Sequence, residues 1–287
     1  MKIGFIGTGN MGGAILKGYV KSENSAGNEI LIHNRTTEHN NDMAKAISAN
    51  AEGRVKVCND NLQLAREADI IMIGVKPNGV DEVLREIASV IDDANHGFGA
   101  EDKIIVSMAA GVSLSSMEES LSRGKAGCGA FAKLVRIMPN TPALVGEAMT
   151  SMSRNSKVTD SDFALVKSVI DAVGISEEVD EDMIDCVIGV SGSSPAYTYM
   201  YIQALAEGAR ANGMSPEKAR VFAAQAVLGA AKMVLESKES LDRLRINVCS
   251  PGGTTIEAVE ALQANGFADD VKEGMQAAID KSRSMTK

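Results

Sequence analysis

Lys2-Ile3-Gly4-Phe5-Ile6-Gly7-Thr8-Gly9-Asn10-Met11-Gly12-Gly13-Ala14-Ile15-Leu16 reads as a short apolar strand, a glycine-rich turn and the start of a helix, and this stretch decides the fold. Its glycines at 7, 9 and 12 have the G-x-G-x-x-G spacing of a dinucleotide site, in the strand-turn-helix setting that such a site requires. Gly7 permits the tight turn, Gly9 lets the backbone reach a pyrophosphate, and Gly12 allows close helix packing. The helix N-terminus supplies donors. The alternative for such a turn is a purely structural one that binds no phosphate.

Outward from this turn, Lys2–Ile6, Glu29–His33, Arg54–Val57, Asp69–Val75, Lys103–Met108 and Lys133–Met138 predict strands separated by helix-like stretches. Runs such as Ile70-Ile71-Met72-Ile73 suit strands buried on both faces, so residues 1–155 are predicted to form a doubly wound, mostly parallel α/β sheet of Rossmann type. Beyond Ser151 strands give way to Ala-rich helical patterns over 183–212, 216–237, 256–264 and 269–284. These predict an all-α C-terminal domain over 156–287, with the boundary in the polar stretch Ser151–Thr159. The segment Val221–Leu235 is apolar nearly all round, and a small helical domain covers such a helix by pairing with a second copy, so a helical homodimer is predicted.

Composition narrows the function. The 287 residues fit about two domains, and 45% hydrophobic with 23% charged residues is ordinary globular usage. The net charge of -9 (29 Lys+Arg against 38 Asp+Glu) is the wrong sign for neutralising phosphates along a duplex. With 3% aromatics and no Trp, stacking platforms for single strands are hard to build, so nucleic acid is not expected as a partner. Cys58, Cys128, Cys186 and Cys249 are far apart with no CxxC pair, and the only histidines are His33, His39 and His96, so no metal site is expected and the thiols read as reduced. The N-terminal apolar run is too short for a signal segment. Gln225 and Lys232 interrupt the most apolar helix, so a cytoplasmic protein without a membrane span is expected.

Candidate site residues cluster where predicted strands end. After the second strand comes His33-Asn34-Arg35-Thr36, with no carboxylate for a ribose diol; Arg35, 23 residues past Gly12, can pair with a 2′-phosphate, which favours NADPH over NADH. Val75-Lys76-Pro77 closes the fourth strand at the edge where open α/β sheets bind ligands, and Lys76 either faces the cofactor or is a solvated loop lysine. Ala109-Ala110-Gly111 follows the fifth strand as a plain turn or as a flat seat for a nicotinamide. Arg136-Ile137-Met138-Pro139-Asn140-Thr141-Pro142 ends the sixth strand in a rigid turn. Ser191-Gly192-Ser193-Ser194-Pro195 reads as a helix break, with Ser194 capping the next helix and Pro195 at its first position. Ser250-Pro251-Gly252-Gly253-Thr254-Thr255 leads into Ile256-Glu257. It is either a helix N-terminus that binds a carboxylate through backbone N–H groups or a Thr254-x-x-Glu257 capping box.

A ketone reductase needs a positioned acid to protonate the emerging alkoxide. The second half has no histidine, and no lysine stands between Lys167 and Lys218, so imine reduction is favoured over carbonyl reduction.

The runs Phe5–Met11, Val75–Pro77, Arg136–Pro142, Ser191–Tyr197 and Ser250–Ala258, with Gly229-Ala230-Ala231-Lys232 upstream, resemble pyrroline-5-carboxylate reductases over essentially the whole chain. The resemblance implies NAD(P)H-dependent reduction of the cyclic imine 1-pyrroline-5-carboxylate to L-proline, the last step of proline biosynthesis, by dimers that often assemble into decamers. By position it implies that Gly7, Gly9, Asn10, Met11 and Gly12 bind the pyrophosphate. Asn34 and Arg35 would take the 2′-phosphate end, and Asn61, Val75, Lys76 and Pro77 the ribose and nicotinamide side, with Ala109 and Gly111 flanking the nicotinamide. It implies further that the backbone of Gly252, Gly253 and Thr254 holds the substrate carboxylate, that the catalytic Thr255 hydroxyl bonds the ring nitrogen, and that Ser250 shapes the loop. One departure stands out: where the family tends toward His-Pro and then Leu-Lys/Arg-Asp, this chain has Ser240-Leu241 and Leu244-Arg245-Ile246. Two alternatives are a β-hydroxyacid dehydrogenase, which needs a lysine near Pro195 that is absent here, and a non-catalytic paralogue, for which Ile246 is the support.

Overall fold

Strand β1 (Lys2–Ile6) carries four fully buried residues and has a parallel neighbour on either side, β2 (Glu29–His33) and β4 (Ile70–Ile73). The chain crosses over between them, so the carboxyl end of β1 is the switch point of the sheet. The computed structural model describes residues 1–92 and 103–285. Its single sheet has eight strands in the order β3-β2-β1-β4-β5-β6-β7-β8, with β3 (Val55–Val57), β5 (Ile104–Ser107), β6 (Lys133–Met138), β7 (Ala148–Arg154) and β8 (Gly174–Glu178). All pairings are parallel except β6 with β7.

The crossovers are α1 (Asn10–Tyr19), α2 (Thr37–Ile47), α3 (Asn61–Glu67), α4 (Pro77–Asp92), α5 (Leu114–Gly124) and α6 (Asp160–Ile170). Two apolar clusters cover the two faces of the sheet. One gathers Phe5, Ile15, Ile32, Met72, Val106 and Val166, the other Ile6, Leu31, Ile71, Leu84, Ile105 and Leu134. Alternate residues of the same strands thus serve opposite faces, which is why these strands read as continuous apolar runs. All four cysteines are free; burial pushes the Cys58 thiol up and the Cys128 thiol up to about 11, so neither is a thiolate near neutral pH.

The expected boundary near Ser151–Thr159 does not match the division in the structure. One compact unit is Met1–Gly192 together with the chain from Ile279, and the other is Ser193–Ala278. Strands also continue past Ser151. β7 buries Thr150, Ser151 and Ser153 almost completely, and the edge strand β8 buries Ser176 while leaving Ile175 half exposed. Hydroxyl side chains occupy inward positions that an apolar pattern would mark. Ser176 Oγ donates to Asp171 and accepts from Lys167, and Ser153 Oγ donates to the Val179 carbonyl. Such local partners make buried serines tolerable.

After a short helix α7 (Ile184–Val187) and a π segment at Ile188–Gly192, the second unit contains α8 (Ser194–Ala211), α9 (Pro216–Glu236), α10 (Leu241–Asn247) and α11 (Thr254–Ala264), with most of α12 (Phe267–Met285). The break predicted at 191–195 is this π segment. The residue before α8 is Ser193 rather than Ser194, and its side chain caps nothing. Within the unit only Ala219 and Ala223 are buried, and Val221, Phe222 and Leu235 are each more than 60% exposed. An apolar surface of that kind on one copy marks an interaction face. No described helix is long and apolar enough to cross a membrane.

Two glycines of the first turn make opposite demands. A Cβ on Gly12 would lie 2.6 Å from the Gly7 carbonyl oxygen, whereas one on Gly9 would meet nothing within 4 Å. Gly12→Ala is therefore expected to lower unfolding free energy by about 1–3 kcal/mol and Gly9→Ala by less than about 0.5 kcal/mol, as read from denaturant titrations. Equal losses would contradict this assignment of roles.

Candidate functional site

At Gly7 the turn after β1 is closed by backbone contacts. Gly7 has φ +85°, its N–H donates to the His33 carbonyl at 2.9 Å, and a Cβ there would come within 2.8 Å of Val75 Cγ1. Gly74 N–H donates to the Ile6 carbonyl at 2.8 Å, which holds the ends of β1 and β4 together. Gly9 precedes α1 as its N-cap with no side-chain cap, so the N–H groups of Asn10, Met11 and Gly12 open the helix without a side-chain partner. Asn10 is exposed, while Met11 is half-buried against the core, so what Met11 offers an anion is its backbone. Uncapped N–H groups beside the open space at Gly9 form an anion cradle.

At the end of β2 the Asn34 amide is fully engaged. Its Oδ1 accepts from the Thr8 N–H at 2.7 Å, and its Nδ2 donates to Thr8 Oγ1 and to Asn40 Oδ1, each at 2.9 Å. Asn34 therefore holds the loop, and its side chain has little left for a ligand. Arg35 is exposed and has no hydrogen bond or ion pair among the described residues, which leaves an uncompensated cation with no carboxylate from 33 to 36.

The remaining cofactor candidates lie at the same sheet edge, after the parallel strands β3, β4 and β5. Asn61 opens α3; its Nδ2 donates to the Glu86 carboxylate at 2.7 Å, and its Oδ1 is buried with no partner. An orphaned acceptor in that position suits a hydroxyl-bearing ligand. Val75 packs at the switch point, Lys76 is exposed, and Pro77 begins α4. Ala109 is buried, its N–H donates to Ser107 Oγ at 3.3 Å, and Gly111 turns the chain with φ +74°. The residues present fit a dinucleotide.

Two contacts escape a sequence reading. Arg136, inside β6 and almost wholly buried, pairs with Glu181 at 2.9 Å, and the same carboxylate oxygen accepts the Leu114 N–H at 2.8 Å. Asn140 Nδ2 donates to the Ser191 carbonyl at 2.9 Å and its Oδ1 accepts the Met149 N–H, which ties the proline-rich turn to the π segment. The signal available was an arginine in the middle of an otherwise apolar strand.

In the second unit, α11 starts at Thr254 with Gly253 as N-cap and no side-chain cap, so the capping box Thr254-x-x-Glu257 does not form. Gly252 has φ +67°, and the Gly253 N–H donates to the Ser250 carbonyl at 2.9 Å. The Gly253 donor is thus already spent inside the loop. The free donors are the first-turn N–H groups of Thr254, Thr255 and Ile256, which carry the positive end of the helix dipole. Ser250 is exposed, and Thr255 is half-buried on the first turn of the helix. The departure at 240–246 leaves this loop formed: Ser240 caps α10 through the Arg243 N–H, Ile246 is half exposed, and the Ile246 carbonyl accepts the Cys249 N–H at 3.0 Å.

A glycine-turn Rossmann sheet without an acid at the end of β2, followed by a helical unit with an uncapped helix start, defines the class of nicotinamide-dinucleotide oxidoreductases. Residues 2–111 match the family described as NADP oxidoreductase coenzyme F420-dependent, and residues 181–285 match pyrroline-5-carboxylate reductase dimerisation. The pyrroline-5-carboxylate reductase of Escherichia coli (strain K12) is 41% identical over 100% of this chain and 98% of its own. A pyrroline-5-carboxylate reductase structure from Coxiella burnetii is 31% identical, covers 99% of this chain and 98% of that one, and has a TM-score of 0.88. The Plasmodium falciparum pyrroline carboxylate reductase, solved with NADP bound, is 28% identical over 100% of this chain and 98% of that one, with a TM-score of 0.79. The chain belongs to the pyrroline-5-carboxylate reductase family.

Arg35→Ala should raise the Kd for NADPH by about 10- to 100-fold and leave that for NADH within about twofold, as followed by nicotinamide fluorescence. A uniform loss for both coenzymes would contradict a 2′-phosphate contact.

Proposed function

We propose that this protein reduces 1-pyrroline-5-carboxylate to L-proline with NADPH, NADH being a slower donor, in the last step of proline biosynthesis. What carries the proposal is full-length family membership together with a dinucleotide turn whose β2 ends in a free Arg35 and no acid. When bound, the nicotinamide supplies the hydride.

The cofactor-binding residues are Gly9, Asn10, Met11 and Gly12 through backbone N–H groups and open space, Gly7 by forming the turn, and Arg35 through its guanidinium. Asn34 acts from behind, holding Thr8. Asn61 Oδ1 offers an acceptor to the ribose, while Val75, Lys76, Pro77, Ala109 and Gly111 shape the nicotinamide side. The substrate carboxylate meets the first turn of α11, with N–H donors from Thr254 and Thr255 and with Gly252, Gly253 and Ser250 folding the loop. The Thr255 hydroxyl bonds the ring nitrogen.

Hydride adds to the carbon of the protonated imine, the π pair of the C=N bond moves onto nitrogen, and the proton that nitrogen already carries stays with it. The product is an amine, so no side-chain acid is needed to quench an alkoxide. This agrees with the absence of histidine from the second half and of lysine between Lys167 and Lys218. Rate enhancement then comes from positioning and electrostatics. The dimerisation-family match over 181–285 and the exposed apolar face of α9 support a homodimer; a decamer as the higher assembly and a cytoplasmic location complete the proposal.

Purified protein mixed with DL-1-pyrroline-5-carboxylate should oxidise NADPH faster than NADH, and Thr255→Ala should lower kcat/KM by about 100-fold while leaving NADPH binding unchanged. Tight NADPH binding without turnover would favour the non-catalytic paralogue.

A further inference from the structure

Thr8, the residue between the two leading glycines, is 1% exposed, and its carbonyl has a single hydrogen-bond donor among the described residues: His39 Nε2 on α2, at 2.8 Å. A carbonyl only accepts, so His39 carries its proton on Nε2 and donates. The other polar atoms of Thr8 are held by Asn34 from the loop before α2. Every polar group of this residue is therefore gripped by the β2–α2 segment. The turn that receives the pyrophosphate is thus held from outside as well as by its own glycines.

We propose that His39 is a positioning residue for the dinucleotide turn. Its imidazole satisfies the buried Thr8 carbonyl and so keeps the N–H groups of Gly9, Asn10 and Met11 aimed at the pyrophosphate. Without it that carbonyl is buried and unpaired, and the peptide that joins Thr8 to Gly9 is free to rotate toward another donor. Gly9 has open space around it and no Cβ to resist that rotation. The effect falls on the part of the coenzyme common to NADPH and NADH, which distinguishes His39 from its neighbour Arg35, whose guanidinium meets only the 2′-phosphate. Because the inference rests on the dinucleotide reading above, wild-type binding is the reference measurement.

The test compares wild type, His39→Ala and His39→Gln, the last because a glutamine Nε2 can stand near the position of the histidine Nε2. NADPH and NADH dissociation constants are measured by nicotinamide fluorescence, with denaturant midpoints as a fold control. His39→Ala is expected to raise both constants by about tenfold, in equal proportion, with the kcat at saturating coenzyme retained. His39→Gln should restore both to within about threefold of wild type. Wild-type affinities in His39→Ala would overturn the proposal, as would a loss confined to NADPH that glutamine fails to rescue, since that pattern means a direct phosphate contact. Absence of coenzyme binding in the wild type would instead refute the dinucleotide reading itself.

Discussion

Three stretches of backbone meet at the carboxyl end of β1 with no side chain between them. Gly7 turns with φ +85°, Gly12 faces its carbonyl from α1, and Gly74 approaches the same carbonyl from the end of β4. Everything functional in the first unit depends on that contact. It brings the start of α1 to the switch point of the sheet and leaves the helix start uncapped. It also opens the space at Gly9 that a larger turn would close. A Cβ at Gly12 or Gly74 collides with main chain, which cannot give way as a flexible side chain can.

The sheet edge follows from this anchor. Because β3-β2-β1-β4-β5-β6 are parallel, the segments after β1 to β5 all emerge on one side, and Arg35, Asn61, Lys76 and Gly111 share an edge though they are far apart in the chain. The hydrogen bonds of Asn34 and His39 to Thr8 lock two of these segments into a single unit. Charge then distinguishes them, since β2 ends in an unpaired arginine.

Much of this was legible in the sequence, for identifiable reasons. Core strands such as Ile70–Ile73 are buried on both faces, so their composition announces them, and the glycine spacing at 7, 9 and 12 carries its own geometry. β7 and β8 were hidden because their buried positions hold Thr150, Ser151, Ser153 and Ser176, of which Ser153 and Ser176 find partners visible only in three dimensions. That hidden pair of strands also displaced the domain boundary, since a stretch that looks polar is part of the sheet. At the site, the free Arg35 was readable, but not that Asn34 faces inward, nor that the Gly253 N–H is used within its own loop. The helical unit, with its apolar α9 left exposed on one copy, was readable as an association surface because hydrophobic periodicity reports burial whether or not the covering chain is the same molecule.

The central claim is that hydride passes directly from a nicotinamide coenzyme to the imine carbon of 1-pyrroline-5-carboxylate. Running the reaction with NADPH deuterated at the transferred position of the nicotinamide and analysing the product by mass spectrometry and NMR tests it most directly. The account predicts L-proline carrying one deuterium on the ring carbon next to nitrogen that was the imine carbon. Proline without deuterium, or label that exchanges with solvent before it reaches the product, would contradict it.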